Sequence, residues 1–128
     1  SCHFDATMTS IGLNGLPLRD IDLLFIENVG NLICPAGFNL GEHKKVMILS
    51  VPEGDDKPHK YPPMFSCVDA VLINKIDLLP LLEFDIPAFK RTIRGLNPDI
   101  SIFEVSCKTG AGIEQWTSWL SSELKNHC

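Results

Sequence analysis

The sequence predicts an α/β fold with a mostly parallel sheet and flanking helices, and three observations predict it. Four short apolar runs recur along the chain, at 22–26, 45–51, 69–73 and 100–105. Such runs, bounded by polar residues, read as strands buried on both faces, the kind a parallel sheet uses. Each run also ends in a polar loop, and segments with helical spacing alternate with the strands, which implies βαβ units.

Taken in order, Asp5 is placed to cap a short helix that Gly12 and Asn14-Gly15 then end. Asp22 to Ile26 is the first buried strand, followed by the polar loop Glu27-Asn28-Val29-Gly30-Asn31 and by Cys34-Pro35. Lys45 to Val51 is the second strand and runs into Pro52 to Pro58, where Gly54 and the prolines exclude regular structure. Pro62-Pro63 is able to open a short helix, since proline is tolerated in a first helical turn. After the third strand, Ile86, Phe89, Ile93 and Leu96 recur at helical spacing, with Gly95 and Pro98 as the stop. The fourth strand leads into Ser106-Cys107-Lys108-Thr109-Gly110. Ile113, Trp116, Leu120 and Leu124 then form one apolar stripe, with Trp116 expected in the core and Trp119 at its rim.

The third strand is followed directly by Asn74-Lys75-Ile76-Asp77, at the sheet edge where open α/β folds bind ligands. An ionised aspartate is a two-oxygen acceptor, and guanine offers it two adjacent donors, N1–H and the N2 amine. Adenine offers no such pair, so an Asp77 carboxylate can select guanine. Asn74 suits the O6/N7 edge of the base or a neighbouring loop, and the Lys75 stem is able to lie across the ring with its ammonium in solvent. The same four residues also make an ordinary polar turn.

Composition narrows the classes of function. The chain has 128 residues, which fits one domain spanning 1–128, and its net charge of −5 carries no footprint for nucleic acid or an acidic membrane. No apolar run approaches the roughly 18 residues of a membrane helix. Five cysteines without repeating spacing fit a reducing compartment, so a cytoplasmic location is expected.

Glu27-Asn28-Val29-Gly30, Asn74-Lys75-Ile76-Asp77 and Ser106-Cys107-Lys108 look like the third, fourth and fifth motifs of a guanine-nucleotide-binding P-loop protein, in the right order. With Cys2-His3-Phe4-Asp5-Ala6, Cys34-Pro35 and Glu53 to Pro58, nearly the whole chain resembles the hydrogenase nickel-incorporation GTPases of the HypB family. The resemblance implies a P-loop GTPase-like fold of the SIMIBI type, with GTP or GDP and Mg²⁺ as ligands. The family's Gly-Lys-Ser/Thr phosphate loop, preceded by its own strand, has no match in these residues. The chain therefore looks like the carboxyl-terminal two-thirds of such a domain, expected to be deficient in hydrolysis, and a sheet without that strand would hold an unpaired groove.

Carried over residue by residue, the resemblance implies that Glu27 holds Mg²⁺ directly or through water and that the Gly30 amide meets the γ-phosphate. It also implies that Ser106 presents its hydroxyl to Asp77, the Cys107 amide meets guanine O6, and Lys108 covers the base. Asp5 would touch a magnesium-bound water, or simply cap its helix. Asp55, Asp56, Lys57 and Lys60 resemble a family segment that responds to nucleotide, while physics alone favours a solvated charged loop. Cys2, His3 and Cys34 are thiolate and imidazole ligands suited to Ni²⁺ or Zn²⁺ rather than Mg²⁺. In the family the corresponding residues bind metal between subunits, which implies a homodimer formed through that site. The implied function is a maturation factor coupling GTP binding and hydrolysis to nickel insertion, working with other hydrogenase maturation proteins. The rival reading is a non-enzymatic nickel- or zinc-binding interaction module that has lost nucleotide binding.

Overall fold

A computed structural model describes residues 6–28 and 40–127. Among them, helix α1 spans Ala6–Leu13, β1 Val46–Ser50, α2 Lys57–Lys60, α3 Pro62–Ser66, β2 Ala70–Asn74, α4 Ile86–Leu96, β3 Ser101–Glu104 and α5 Ile113–Asn126. The three strands form one parallel sheet in the order β1-β2-β3, with Ile48 beside Leu72 and Leu72 beside Phe103. No helix among the described residues is long and apolar enough to cross a membrane.

Residue parity explains the core. Met47 and Leu49 of β1 and Val71 and Ile73 of β2 share a face, and they pack with Phe65, Val68, Phe89, Ile93 and Ile100 from α3, α4 and the connections. β2 lies between two strands and has a helix layer on each side, so Ala70 to Ile73 are all buried, and its sequence reads as an unbroken apolar run. On the opposite face Phe103 meets Trp116 and Trp119 of α5 at ring distances of 5.6 and 5.8 Å. The two tryptophans stack 5.4 Å apart and both stay half-buried, so Trp116 is a rim residue rather than the core residue its spacing predicts. The physical reason is that α5 lies at the surface of the sheet and buries no residue completely, so its apolar stripe is covered on one side only.

α4 owes its start to Asp85, whose carboxylate accepts the Ala88 amide at 2.9 Å, with Pro87 in the first turn where proline costs nothing. Phe89 and Ile93, four residues apart, face the sheet. Gly95 stays inside the helix. The helix end is held by Asn97, whose amide nitrogen donates to Phe65 O at 3.2 Å and Val68 O at 2.7 Å.

Two further stretches depart from their sequence pattern. Residues 22–26 form no strand: Leu23, Leu24, Phe25 and Ile26 are exposed, and no described strand lies beside β1 on its outer edge. Apolarity signals a wish for burial, but a strand also needs a neighbour for its backbone hydrogen bonds, and none is supplied here. The stretch after β1 is more regular than its Gly and Pro content suggests. Ser50 and Glu53 form a reciprocal capping box around a single 3-10 turn, and α2 follows with Pro58 in its first turn.

Candidate guanine-recognition site

The ends of β2 and β3 are locked together past their last paired residues. Val105 N donates to Ile73 O at 2.8 Å and Ile76 N donates to Val105 O at 3.2 Å, so the two following loops leave the sheet side by side. Lys75 takes the left-handed conformation at φ 61°, the one described non-glycine residue to do so, at a cost of about 1–2 kcal/mol. That turn redirects the chain from the strand into the 3-10 segment Ile76–Leu81, which carries Asp77.

Ser106 is fully buried, and its Oγ donates to Asp77 Oδ1 at 2.7 Å. Asn74 Oδ1 accepts the Lys75 amide at 2.8 Å and, more loosely, the Cys107 amide at 3.4 Å, tying the two loops from the other side. Lys75 and Lys108 are both exposed. The carboxylate is thus half-buried and held by a neutral donor, an acceptor suited to paired N–H donors on a flat ring. Ser50 stands beside Asn74 in register, so the loop after β1 opens at the same edge.

In that loop Asp55 Oδ2 accepts the Asp85 amide at 2.9 Å, which joins it to the start of α4. Asp56 pairs with Lys60 at 2.8 Å, and this hydrogen-bonded ammonium lowers the Asp56 carboxyl below its ordinary value.

The structure therefore brings together Asn74, Lys75, Asp77, Ser106, Cys107 and Lys108. It does not do so for Glu27, which is exposed in irregular backbone and follows no strand. No hydrogen bond or ion pair joins Glu27 to the 74–77 or 106–109 loops among the described residues. Gly30 and Asp5, and the metal-ligand candidates Cys2, His3 and Cys34, lie outside the described residues. No group of three or more potential metal ligands occurs among the described residues. Thr109, which none of the three motifs includes, joins the same loop: its amide donates to Ser106 Oγ at 3.1 Å, and its sequence signal is its place next to a glycine in a strand-to-helix turn.

Residues 1–104 match the family model for the CobW/HypB/UreG nucleotide-binding domain. The chain is 51% identical to the hydrogenase maturation factor HypB of Escherichia coli strain K12, over 95% of its own length and 42% of that protein. It is 43% identical to HypB of Archaeoglobus fulgidus, whose crystal structure it matches with a TM-score of 0.90 over 97% of this chain and 60% of that one. The structure of HypB from Helicobacter pylori in complex with nickel matches with a TM-score of 0.94 at 39% identity, over 99% of this chain and 61% of that one.

Proposed function

This chain belongs to the CobW/HypB/UreG nucleotide-binding family, and from that premise we propose that it is a guanine-nucleotide-binding piece of a hydrogenase maturation factor that handles nickel. The chain spans less than two-thirds of the relatives it matches, 42% in the Escherichia coli case, so the activity of the whole protein is part of the proposal. The observation that carries the base half is the Ser106 Oγ to Asp77 Oδ1 hydrogen bond, which joins two loops 29 residues apart into one acceptor site.

Asp77 accepts the N1–H and N2 amine of guanine, Asn74 keeps the loops in contact, the Cys107 amide faces O6, and Lys75 and Lys108 flank the ring. The residues present include no Gly-Lys pair, so phosphate binding is not assigned to them. GTP hydrolysis, with Mg²⁺ near Glu27, Gly30 and Asp5, is likewise a reading carried by the family resemblance alone. Nickel enters as cargo. Cys2, His3 and Cys34 supply the soft ligands for it, with Zn²⁺ as the competing ion and a homodimer as the arrangement that completes the coordination. Support for nickel comes from the nickel complex of the Helicobacter pylori relative.

Competition against fluorescent GDP tests the base half. GDP is expected to displace the probe on the order of 10²-fold better than ADP. Equal displacement at high micromolar concentration would reject nucleotide recognition and leave the non-enzymatic metal-binding module as the reading. Equilibrium dialysis of Ni²⁺ and Zn²⁺ tests the cargo half. Cys2→Ala and Cys34→Ala are each expected to lower the bound stoichiometry, and unchanged binding in both removes these residues from the ligand set.

A further inference from the structure

Two glycines in the loop after β3 take left-handed conformations, Gly110 at φ 84° and Gly112 at φ 74°. Their surroundings differ sharply. A Cβ at Gly110 would have nothing within 4 Å, whereas one at Gly112 would sit 1.9 Å from Glu104 O and 3.2 Å from Val105 Cα. Only a residue without a side chain lets the returning limb of the loop lie against the end of β3 at this point.

That limb holds Ser106 on every side. Ser106 N donates to Ala111 O at 2.9 Å, and Gly110 N donates to Ser106 O at 2.8 Å. Thr109 N donates to Ser106 Oγ at 3.1 Å, while Thr109 Oγ1 accepts the Ala111 amide at 3.2 Å. A hydroxyl carries one proton and two lone pairs. The Thr109 amide engages a lone pair, and the Thr109 hydroxyl fixes that amide in place by accepting the Ala111 amide, so the Ser106 proton is directed at Asp77 Oδ1; Thr109→Ala keeps the amide but removes what holds it there. The terminal torsion of an aspartate is broad, so an unclamped carboxylate turns over a wide range. Bidentate contact with two donors on one ring edge tolerates little of that turning.

We propose that Thr109 and Gly112 are positioning residues that act through Ser106 to set the plane of the Asp77 carboxylate, and so its ability to hold both donors of guanine at once. The inference rests on the guanine reading above and adds to it the residues that set its selectivity. Hypoxanthine separates the two claims, because it keeps N1–H and O6 but lacks the N2 amine. A turned carboxylate still holds one donor. Loss of alignment therefore weakens GDP and spares IDP, whereas general loosening of the fold weakens both alike.

The test is displacement of fluorescent GDP from the 128-residue chain by GDP, IDP and ADP, with thermal unfolding of each variant. The unaltered chain is expected to prefer GDP over IDP by about tenfold, the worth of one charge-assisted hydrogen bond. Thr109→Ala and Gly112→Ala are expected to cut that ratio to about a third or less by weakening GDP, with IDP nearly unchanged. Thr109→Ser, which restores the acceptor for Ala111, is expected to keep it. If Gly112→Ala unfolds, Thr109→Ala decides alone. A GDP to IDP ratio that survives Thr109→Ala, or a proportional loss of both ligands, overturns the positioning role and leaves guanine recognition standing. Failure of the unaltered chain to prefer GDP over ADP overturns the guanine reading itself, and the positioning role with it.

Discussion

Asp77→Asn is expected to turn the base preference of this chain from guanine to xanthine. An ionised aspartate accepts twice, which matches the N1–H and amine of guanine. An asparagine amide accepts once and donates once, so its NH₂ group would face the guanine amine, donor against donor. Xanthine carries a carbonyl where guanine carries the amine, and its N1–H and O2 pair meets an amide oxygen and an amide nitrogen. Ser106 Oγ, which now donates to Asp77 Oδ1 at 2.7 Å, is still able to donate to the amide oxygen, so the swap leaves the local scaffold in place. GDP is expected to weaken on the order of 10²-fold while XDP gains by a comparable factor. The measurement is paired displacement of a fluorescent nucleotide by GDP and XDP. Weaker GDP with no gain for XDP would mean that Asp77 supports the loops without reading the base.

Phe89→Ala is expected to lower the unfolding free energy by about 3–5 kcal/mol. Phe89 is 2% exposed and lies between Phe65, edge-on at 6.0 Å, and Phe84 at 5.1 Å, beneath the buried face of the sheet. Truncation leaves a cavity on three sides of which rigid elements stand, and domains of this size hold only about 5–15 kcal/mol in total. Ile48→Ala is the matched control, because Ile48 lies in the same sheet but is 61% exposed on its other face. A change there is expected within about 0.5 kcal/mol. Urea unfolding of both variants provides the comparison. Equal losses would mean that the β1 edge of that face is covered rather than open.

The two predictions draw on parts of the chain that were unequally legible. The run Ala70 to Ile73 announced itself as a strand because a central parallel strand is buried on both faces and shows no polar alternation. Phe89 and Ile93 announced α4 because a helix buries one face every three or four residues, and that spacing survives any tertiary arrangement. Leu23 to Ile26 carry the same apolar signal as β2 but form no strand, since the ladder that would hold them is not a property of the run itself. Trp116 failed similarly: its place on the apolar stripe of α5 was legible, but how much of the sheet that helix covers was not.

The candidate site divides along the same line. Residue chemistry alone made Asp77 a candidate acceptor for guanine, and the order of three motifs carried the family resemblance, because hydrogen-bonding capacity and motif order are written in the chain. The resemblance implied that Ser106 meets Asp77; the tertiary structure shows that contact across 29 residues and adds the Thr109 amide donating to Ser106 Oγ, which no motif announced. It also decided that Gly112 must lack a side chain where Glu104 O stands 1.9 Å from its missing Cβ. Those facts depend on distances between separate segments. Local sequence sets what each segment can offer, and only the packing of parallel strands sets what it meets.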